Sequence, residues 1–272
     1  MNETQWSLTD ADGIEVYGTR WAPARPKAVV QIAHGWAEHR RRYGRLAGAL
    51  CDAGYAVWAD DHLGHGETGT RGGGLGDLGP RGMEGVVAAV HAVTERVAAE
   101  ESDLPLCLLG HSWGSFVAQR IVREWGEGLD ALVLTGTTRR EPGLERPARP
   151  SGASGGYAWL SRDPDEVAAY EADPWCGFER LRLGPHDARR AYLEAGTDDT
   201  IPPGLGVLIL NGSEDIVGGE AGGARLANAY RSAGLGDVTL ITYRGGRHEV
   251  FNETNRDQVT RDLVAWLDER LG

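Results

Sequence analysis

The stretch LPLCLLGHSWGSFVAQRIV, residues 104–122, decides the fold. Its first part is a short apolar run with the pattern of a buried strand. Its continuation, SFVAQRIVREWG (115–126), has helical spacing. Between them stands Gly110-His111-Ser112-Trp113-Gly114. A plain strand–helix connection needs no serine between two near glycines. A sharp turn at Ser112 lifts its hydroxyl above the sheet edge, and Gly110 and Gly114 let neighbouring backbone pass closely. The helix behind points its first N–H groups at the same spot, where an oxyanion would form. A Gly-x-Ser-x-Gly run can also arise by chance in a chain with 40 glycines. The strand before it and the helix after it argue for the strained turn.

The same alternation extends outward in both directions. KAVVQIAHG (27–35) and YAVWADD (55–61) read as strands, with RYGRLAGALCDAG (42–54) as a helix closed by Gly54. MEGVVAAVHAVTERVAAEE (83–101) reads as an amphipathic helix and DALVLTGT (130–137) as a strand. The rhythm returns with GLGVLILNGSED (204–215), EAGGARLANAYRSAG (220–234), DVTLITYRGG (237–246) and TNRDQVTRDLVAWLDERL (254–271). Repeated strand–helix alternation predicts an α/β fold, with a mostly parallel sheet covered on both faces. Residues 138–156 are polar and rich in Pro and Gly, while DPDEVAAYEAD (163–173) and PHDARRAYLEAG (185–196) look helical. The expected organisation is therefore a core of 1–137 and 201–272, with 138–200 inserted above the sheet.

Bulk composition removes several classes. The chain has 272 residues, 41% hydrophobic and 25% charged, with a formal net charge of −12. Such an acidic protein repels phosphate backbones and anionic membrane surfaces, which argues against a nucleic-acid partner. No window approaches a membrane span, and MNETQWSLTDADG lacks a basic region followed by an apolar run, so neither membrane insertion nor a signal peptide is expected. A cytoplasmic location is the default. Cys51, Cys107 and Cys176 are odd in number and far apart, which speaks against a disulfide framework. No Cys/His spacing suggests zinc, so no metal is expected. GHGETGTRGGGLGDLG (64–79) reads as a glycine-rich loop; without a preceding strand or a Lys-Ser/Thr it does not read as a phosphate cradle.

A serine hydroxyl is a weak nucleophile and needs a base oriented by an acid. On this type of sheet those partners follow in the order acid, then histidine. VLILNGSEDIV ends a strand at Glu214-Asp215, and YRGGRHEVFNE places His248 in a glycine-rich loop before the last helix. Asp215 is the preferred acid and Glu214 its rival. His34, His62, His65 and His111 read as site-framing or structural residues, with the His111 ring expected to point away from the serine. His91 and His186 read as ordinary surface or helix positions, and His39 finds no assignment.

At this point a family is visible. HGWAEHRRRY (34–43), DDHLGHGET (60–68), GHSWGS (110–115), SRDPDEVAAYEADP (161–174), NGSED (211–215) and GGRHEVFNE (245–253) together resemble the α/β-hydrolase superfamily. The resemblance is closest to its monoacylglycerol lipase/lysophospholipase-like branch, also called serine aminopeptidase-like. It implies an α/β-hydrolase fold in which Ser112, Asp215 and His248 cleave a small acyl ester through an acyl-enzyme. It also implies an oxyanion hole built from the backbone N–H groups of Trp36 and Trp113, framed by His34, Gly35, Gly110, His111 and Gly114. No cofactor is implied, and residues 138–200 would be the cap that sets substrate choice. Aminopeptidase or thioesterase chemistry on the same triad, and a non-catalytic ligand-binding role, are the alternatives. Two residues depart from the family pattern, since tryptophan replaces the usual small residue at Trp36 and the usual Met at Trp113. Their rings either narrow the acyl channel, favouring short-to-medium chains, or pack sideways into the core. RREPGLERPARPSG (139–152) lacks the apolar surface of a membrane-docking lid, so a soluble or micellar substrate is expected.

Overall fold

Aliphatic and β-branched runs bounded by glycine build the sheet. The computed structural model describes residues 1–139, 156–178 and 200–272. Eight strands form one sheet: β1 (Asn2–Thr9), β2 (Glu15–Ala22), β3 (Ala28–Ala33), β4 (Tyr55–Asp60), β5 (Leu106–His111), β6 (Ala131–Thr135), β7 (Gly206–Gly212) and β8 (Val238–Tyr243). Their spatial order is β1-β2-β4-β3-β5-β6-β7-β8. β1 pairs with β2, and β2 with β4, antiparallel; every other pairing is parallel.

The α-helices among the described residues are α1 (Gly44–Asp52), α2 (Gly66–Arg71), α3 (Met83–Glu100), α4 (Trp113–Trp125), α5 (Pro164–Ala172), α6 (Gly219–Ser232) and α7 (Arg256–Leu271). Two-residue alternation along the strands divides the core. Leu106, Leu108, Leu132, Leu134, Val207 and Ile209 pack with residues of α3, α4 and α6. Cys107, Leu109, Ala131, Val133, Leu208 and Leu210 pack with residues of α1 and α7. Both faces are thus covered, which is why the central strands read as continuous apolar runs.

The structure adds to the sequence reading in one place and corrects it in another. The first two strands were not legible as such. They form a hairpin whose turn is tied by Asp10 Oδ1, which accepts from the Asp12 and Ile14 amides at 2.9 and 2.8 Å. Residues 64–79 are not wholly loop, because Gly66–Arg71 forms α2. A six-residue helix is marginal on its own. Here the buried Asp61 supports it by accepting from the Glu67 N–H at 2.7 Å, and Arg40 in turn pairs with Asp61 and Glu67. Within 138–200, DPDEVAAYEAD forms α5 as expected. PHDARRAYLEAG, His186 and the polar stretch 140–155 lie outside the described residues.

Candidate active site

Ser112, Asp215, His248 and the Gly35–Trp36 pair each follow a parallel strand at the carboxyl edge of the sheet, β5, β7, the loop after β8, and β3 respectively. Ligands of such sheets bind at that edge. Ser112 has φ 50° and ψ −118°. Among the described residues only Ala37, with φ 55°, shares a positive φ outside glycine. Such conformations cost of order 1–3 kcal/mol and persist where surroundings enforce them. The Ser112 N–H donates to Thr135 O at 2.9 Å, and its carbonyl accepts from the Ser115 N–H at 3.0 Å and hydroxyl at 2.5 Å. A Cβ at Gly114 would lie 2.2 Å from Ala33 O and 2.4 Å from His34 O, so only glycine lets α4 approach the end of β3. Gly110 is confined in the same way, with Gly114 O 2.6 Å from where a Cβ would sit.

The half-buried Ser112 Oγ lies 2.8 Å from His248 Nε2, and His248 Nδ1 lies 2.7 Å from Asp215 Oδ1. A carboxylate can only accept, so Nδ1 carries the proton and Nε2 faces the hydroxyl as the acceptor. Asp215 also accepts from the Val217 amide at 2.9 Å, while its neighbour Glu214 is exposed. Burial raises the Asp215 pKa, but the adjacent His248 charge and hydrogen bonds outweigh it and hold the carboxyl below its ordinary range. Burial opposes protonation of His248 as well; the Asp215 carboxylate overcomes this, so the imidazole pKa is raised. His111 does not simply point away. Its Nδ1 meets Thr135 Oγ1 at 2.9 Å and its ring centroid is 4.9 Å from that of His248. Burial and the His248 charge push its pKa down to about 4.

The loop 35–38 is tied at Gly35 and Ala37. His34 Nε2 accepts from the His62 N–H at 3.0 Å, so its other nitrogen, Nδ1, donates to Gly35 O at 2.7 Å. Burial keeps His34 neutral by lowering its pKa well below the usual value. Carbonyl and N–H of one trans peptide point in opposite directions, so fixing Gly35 O also aims the Trp36 N–H. The Gly35 N–H donates to Glu38 Oε1 at 2.5 Å, which also accepts from Tyr43. Ala37 O accepts from Tyr170 Oη at 2.8 Å and from the Gly177 N–H at 2.9 Å. A Cβ at Gly35 would sit 3.2 Å from Ser112 Cβ, which brings this loop directly against the serine.

Trp113 is buried and Trp36 half-buried. Their rings meet edge-on at 5.2 Å, and Phe178 and His65 stand 5.6 and 4.7 Å from Trp36. His62 and His65 thus belong to this wall and its support: His62 Nδ1 meets Asp60 at 2.7 Å. His91, instead, stacks on Trp125. Residues of the segment 156–178 stand beside the site. Trp159 lies 4.9 Å from the His248 ring, the Glu249 N–H donates to Leu160 O at 2.8 Å, and Phe178 closes on Trp36.

Sequence reasoning missed Glu38, Gly136, Trp159, Tyr170 and Phe178. Glu38 sits within the HGWAEH run, which was a usable signal; the other contacts come from distant parts of the chain. Gly136 leaves room for both His111 and His248, each 2.9 Å from where its Cβ would be.

Comparisons with known proteins bear on the family and the fold. The family model described as "Serine aminopeptidase, S33" (Hydrolase_4) matches residues 24–255. The chain is 30% identical, over 98% of each sequence, to the monoacylglycerol lipase of Mycolicibacterium smegmatis. Among solved structures it is similar to a lipase in an open form, with TM-score 0.87, 30% identity and full coverage of both chains. It is likewise similar to a thermostable carboxyl esterase from Bacillus coagulans, with TM-score 0.86, 28% identity and full coverage of both chains. The chain belongs to the serine aminopeptidase S33 (Hydrolase_4) family, within the monoacylglycerol lipase-like branch of the α/β-hydrolases.

Proposed function

We propose that the protein is a serine ester hydrolase that cleaves monoacylglycerol-like or short-to-medium acyl esters through an acyl-enzyme. The observation that carries this reading is the unbroken hydrogen-bond chain Asp215–His248–Ser112, with Ser112 on a strained turn. Ser112 Oγ attacks the ester carbonyl carbon while His248 Nε2 takes the hydroxyl proton. Asp215 holds the imidazole in the required tautomer and stabilises the imidazolium. The oxyanion is received by the Trp36 and Trp113 N–H groups, neither of which has an acceptor among the described residues. His248 then protonates the leaving alcohol. Water repeats the sequence and frees the acid. An oxyanion donor of this kind is worth about 10²–10³ in kcat.

Residues 138–200 act as the cap, and Trp36, Trp113 and Phe178 line the route to the serine and limit acyl length. The relatives named for monoacylglycerol and carboxyl ester hydrolysis support a glycerol or simple alcohol as leaving group. Among the described residues no helix is long and apolar enough to cross a membrane. Three free thiols fit a reducing, cytoplasmic compartment. The family description also names aminopeptidases, so the test is a panel of p-nitrophenyl esters from acetate to palmitate, beside a thioester and an aminoacyl anilide. Ester turnover with a short-to-medium optimum supports the proposal. An optimum at palmitate would remove the limiting role of the tryptophans, and preference for the anilide would overturn the ester assignment.

A further inference from the structure

We propose that His39, Asp173 and Cys176 form a zinc-binding site that clamps the insertion to the core. They come from two distant places in the chain, His39 after β3 and the other two just after α5. One nitrogen of His39, one carboxylate oxygen of Asp173 and the Cys176 sulfur all lie within 4.8 Å of one another. They are the one such cluster among the described residues.

The donor set selects the metal. Thiolate and imidazole favour zinc over calcium or magnesium, and three protein ligands with one open position are a common zinc arrangement. Bonds of about 2.0–2.3 Å to a tetrahedral ion set donors roughly 3.5 Å apart, so donors that lie within 4.8 Å need close by no more than about 1.3 Å on binding.

An independent observation points to a missing partner. His39 is 4% exposed, and its Nε2 meets Asp173 Oδ2 at 2.8 Å. Its Nδ1 is buried with no hydrogen-bond partner among the described residues. A buried polar atom left so is destabilising until something pairs with it. Asp173 is already oriented, because its Oδ1 accepts from the Trp175 N–H at 2.8 Å. The Trp175 ring stands edge-on to His39 at 5.2 Å and shields the cluster.

Charge balances on loading. The Cys176 thiol releases its proton to solvent, and thiolate plus carboxylate neutralise the divalent ion. The nearby Arg42 guanidinium is already matched by Glu38 and Glu249, at 2.6 and 2.7 Å. The site lies two residues from Ala37, whose carbonyl the insertion grips through Tyr170 and Gly177. A bound ion therefore fastens the insertion to the loop that carries Trp36.

The test uses cobalt as a spectroscopic substitute for zinc in the full chain. One equivalent of Co²⁺ should give the visible bands of a tetrahedral ion and a near-ultraviolet thiolate-to-cobalt transition, both erased by one equivalent of Zn²⁺. Cys176→Ser should lose the near-ultraviolet transition, His39→Gln should lose stoichiometric binding, and Cys51→Ser should keep both. Zinc should raise the Tm of the wild type and not of Cys176→Ser. Absence of the transition, its persistence in Cys176→Ser, or uptake only at large excess of metal overturns the proposal. Cys176→Ser changes one atom, and its circular dichroism and Ser112-dependent esterase rate report whether it folds.

Discussion

Replacing Gly114 with Ala tests how the backbone holds the serine. The new Cβ would stand 2.2 Å from Ala33 O and 2.4 Å from His34 O. An unstrained carbon–oxygen contact needs about 3.3 Å, so α4 and the end of β3 must part by about 1 Å. Both obstacles are backbone atoms, so no side chain can swing aside. Overpacking of this kind costs about 1–3 kcal/mol. At this chain length that corresponds to a Tm lowered by about 2–12 °C. The displacement falls between Ser112 and the loop bearing Trp36, and a misplacement of about 1 Å costs on the order of 10² in rate. Gly48→Ala is the matched control. Gly48 lies inside α1 with nothing within 4 Å of its virtual Cβ, so the same substitution should stabilise by about 0.5–1 kcal/mol and leave turnover unchanged. Thermal melts and kcat on a p-nitrophenyl ester read both effects. If Gly114→Ala keeps wild-type kcat and Tm, the close approach does not hold the site and the reasoning fails.

Asp215→Asn should lower kcat by about 10⁴, whereas Glu214→Gln should leave it unchanged; equal losses would reopen the choice of acid. The base must be neutral, and Asp215 raises the His248 pKa, so kcat/KM should fall on acidification with a midpoint above the ordinary value of about 6.5. A pH–rate profile with its midpoint below that value would contradict the pairing. Stability carries the opposite sign at His34, His65 and His111, whose pKa values are depressed by burial, to about 3 at His65 and about 4 at His111. Their contribution is complete above about pH 6.5 and is lost as pH falls towards those values, each by up to about 1.4 kcal/mol per pH unit. The raised pKa of His248 offsets part of this, favouring the fold below about 6.5 and fading as pH rises through its folded value. Urea unfolding should therefore give a smaller free energy at pH 5 than at pH 7, with a shallower pH slope in His111→Gln; a flat profile would refute the neutral-histidine cluster.

The parallel strands and their helices were legible because burial on both faces leaves long apolar runs, and because glycine marks each turn. Ser112, Asp215 and His248 were legible for a related reason, since each follows such a run at the sheet edge. β1 was not, because it is an edge strand with mostly exposed residues, and β2 was not, because its buried positions include Gly18 and Thr19, which interrupt any apolar run. α2 was hidden because a tertiary carboxylate, Asp61, supports it. The sequence preferred Asp215 to Glu214 only from its place just past the strand end; in the fold it is Asp215 that is buried and meets His248, while Glu214 is exposed. Nor could it foresee that Tyr170 and Gly177 hold Ala37, or that His39 meets Asp173 across 134 positions of the chain. Such contacts join residues far apart in the chain, and no local pattern encodes them.

The central claim is that Ser112 carries the acyl group. Its most direct test is rapid acid quenching of the enzyme during turnover of a p-nitrophenyl ester, followed by intact and peptide mass spectrometry. The account predicts one acyl adduct on the peptide containing Ser112, accumulating with the p-nitrophenol burst and absent in Ser112→Ala, which should turn over no ester. Undiminished hydrolysis by Ser112→Ala, or an adduct on another residue, would contradict it.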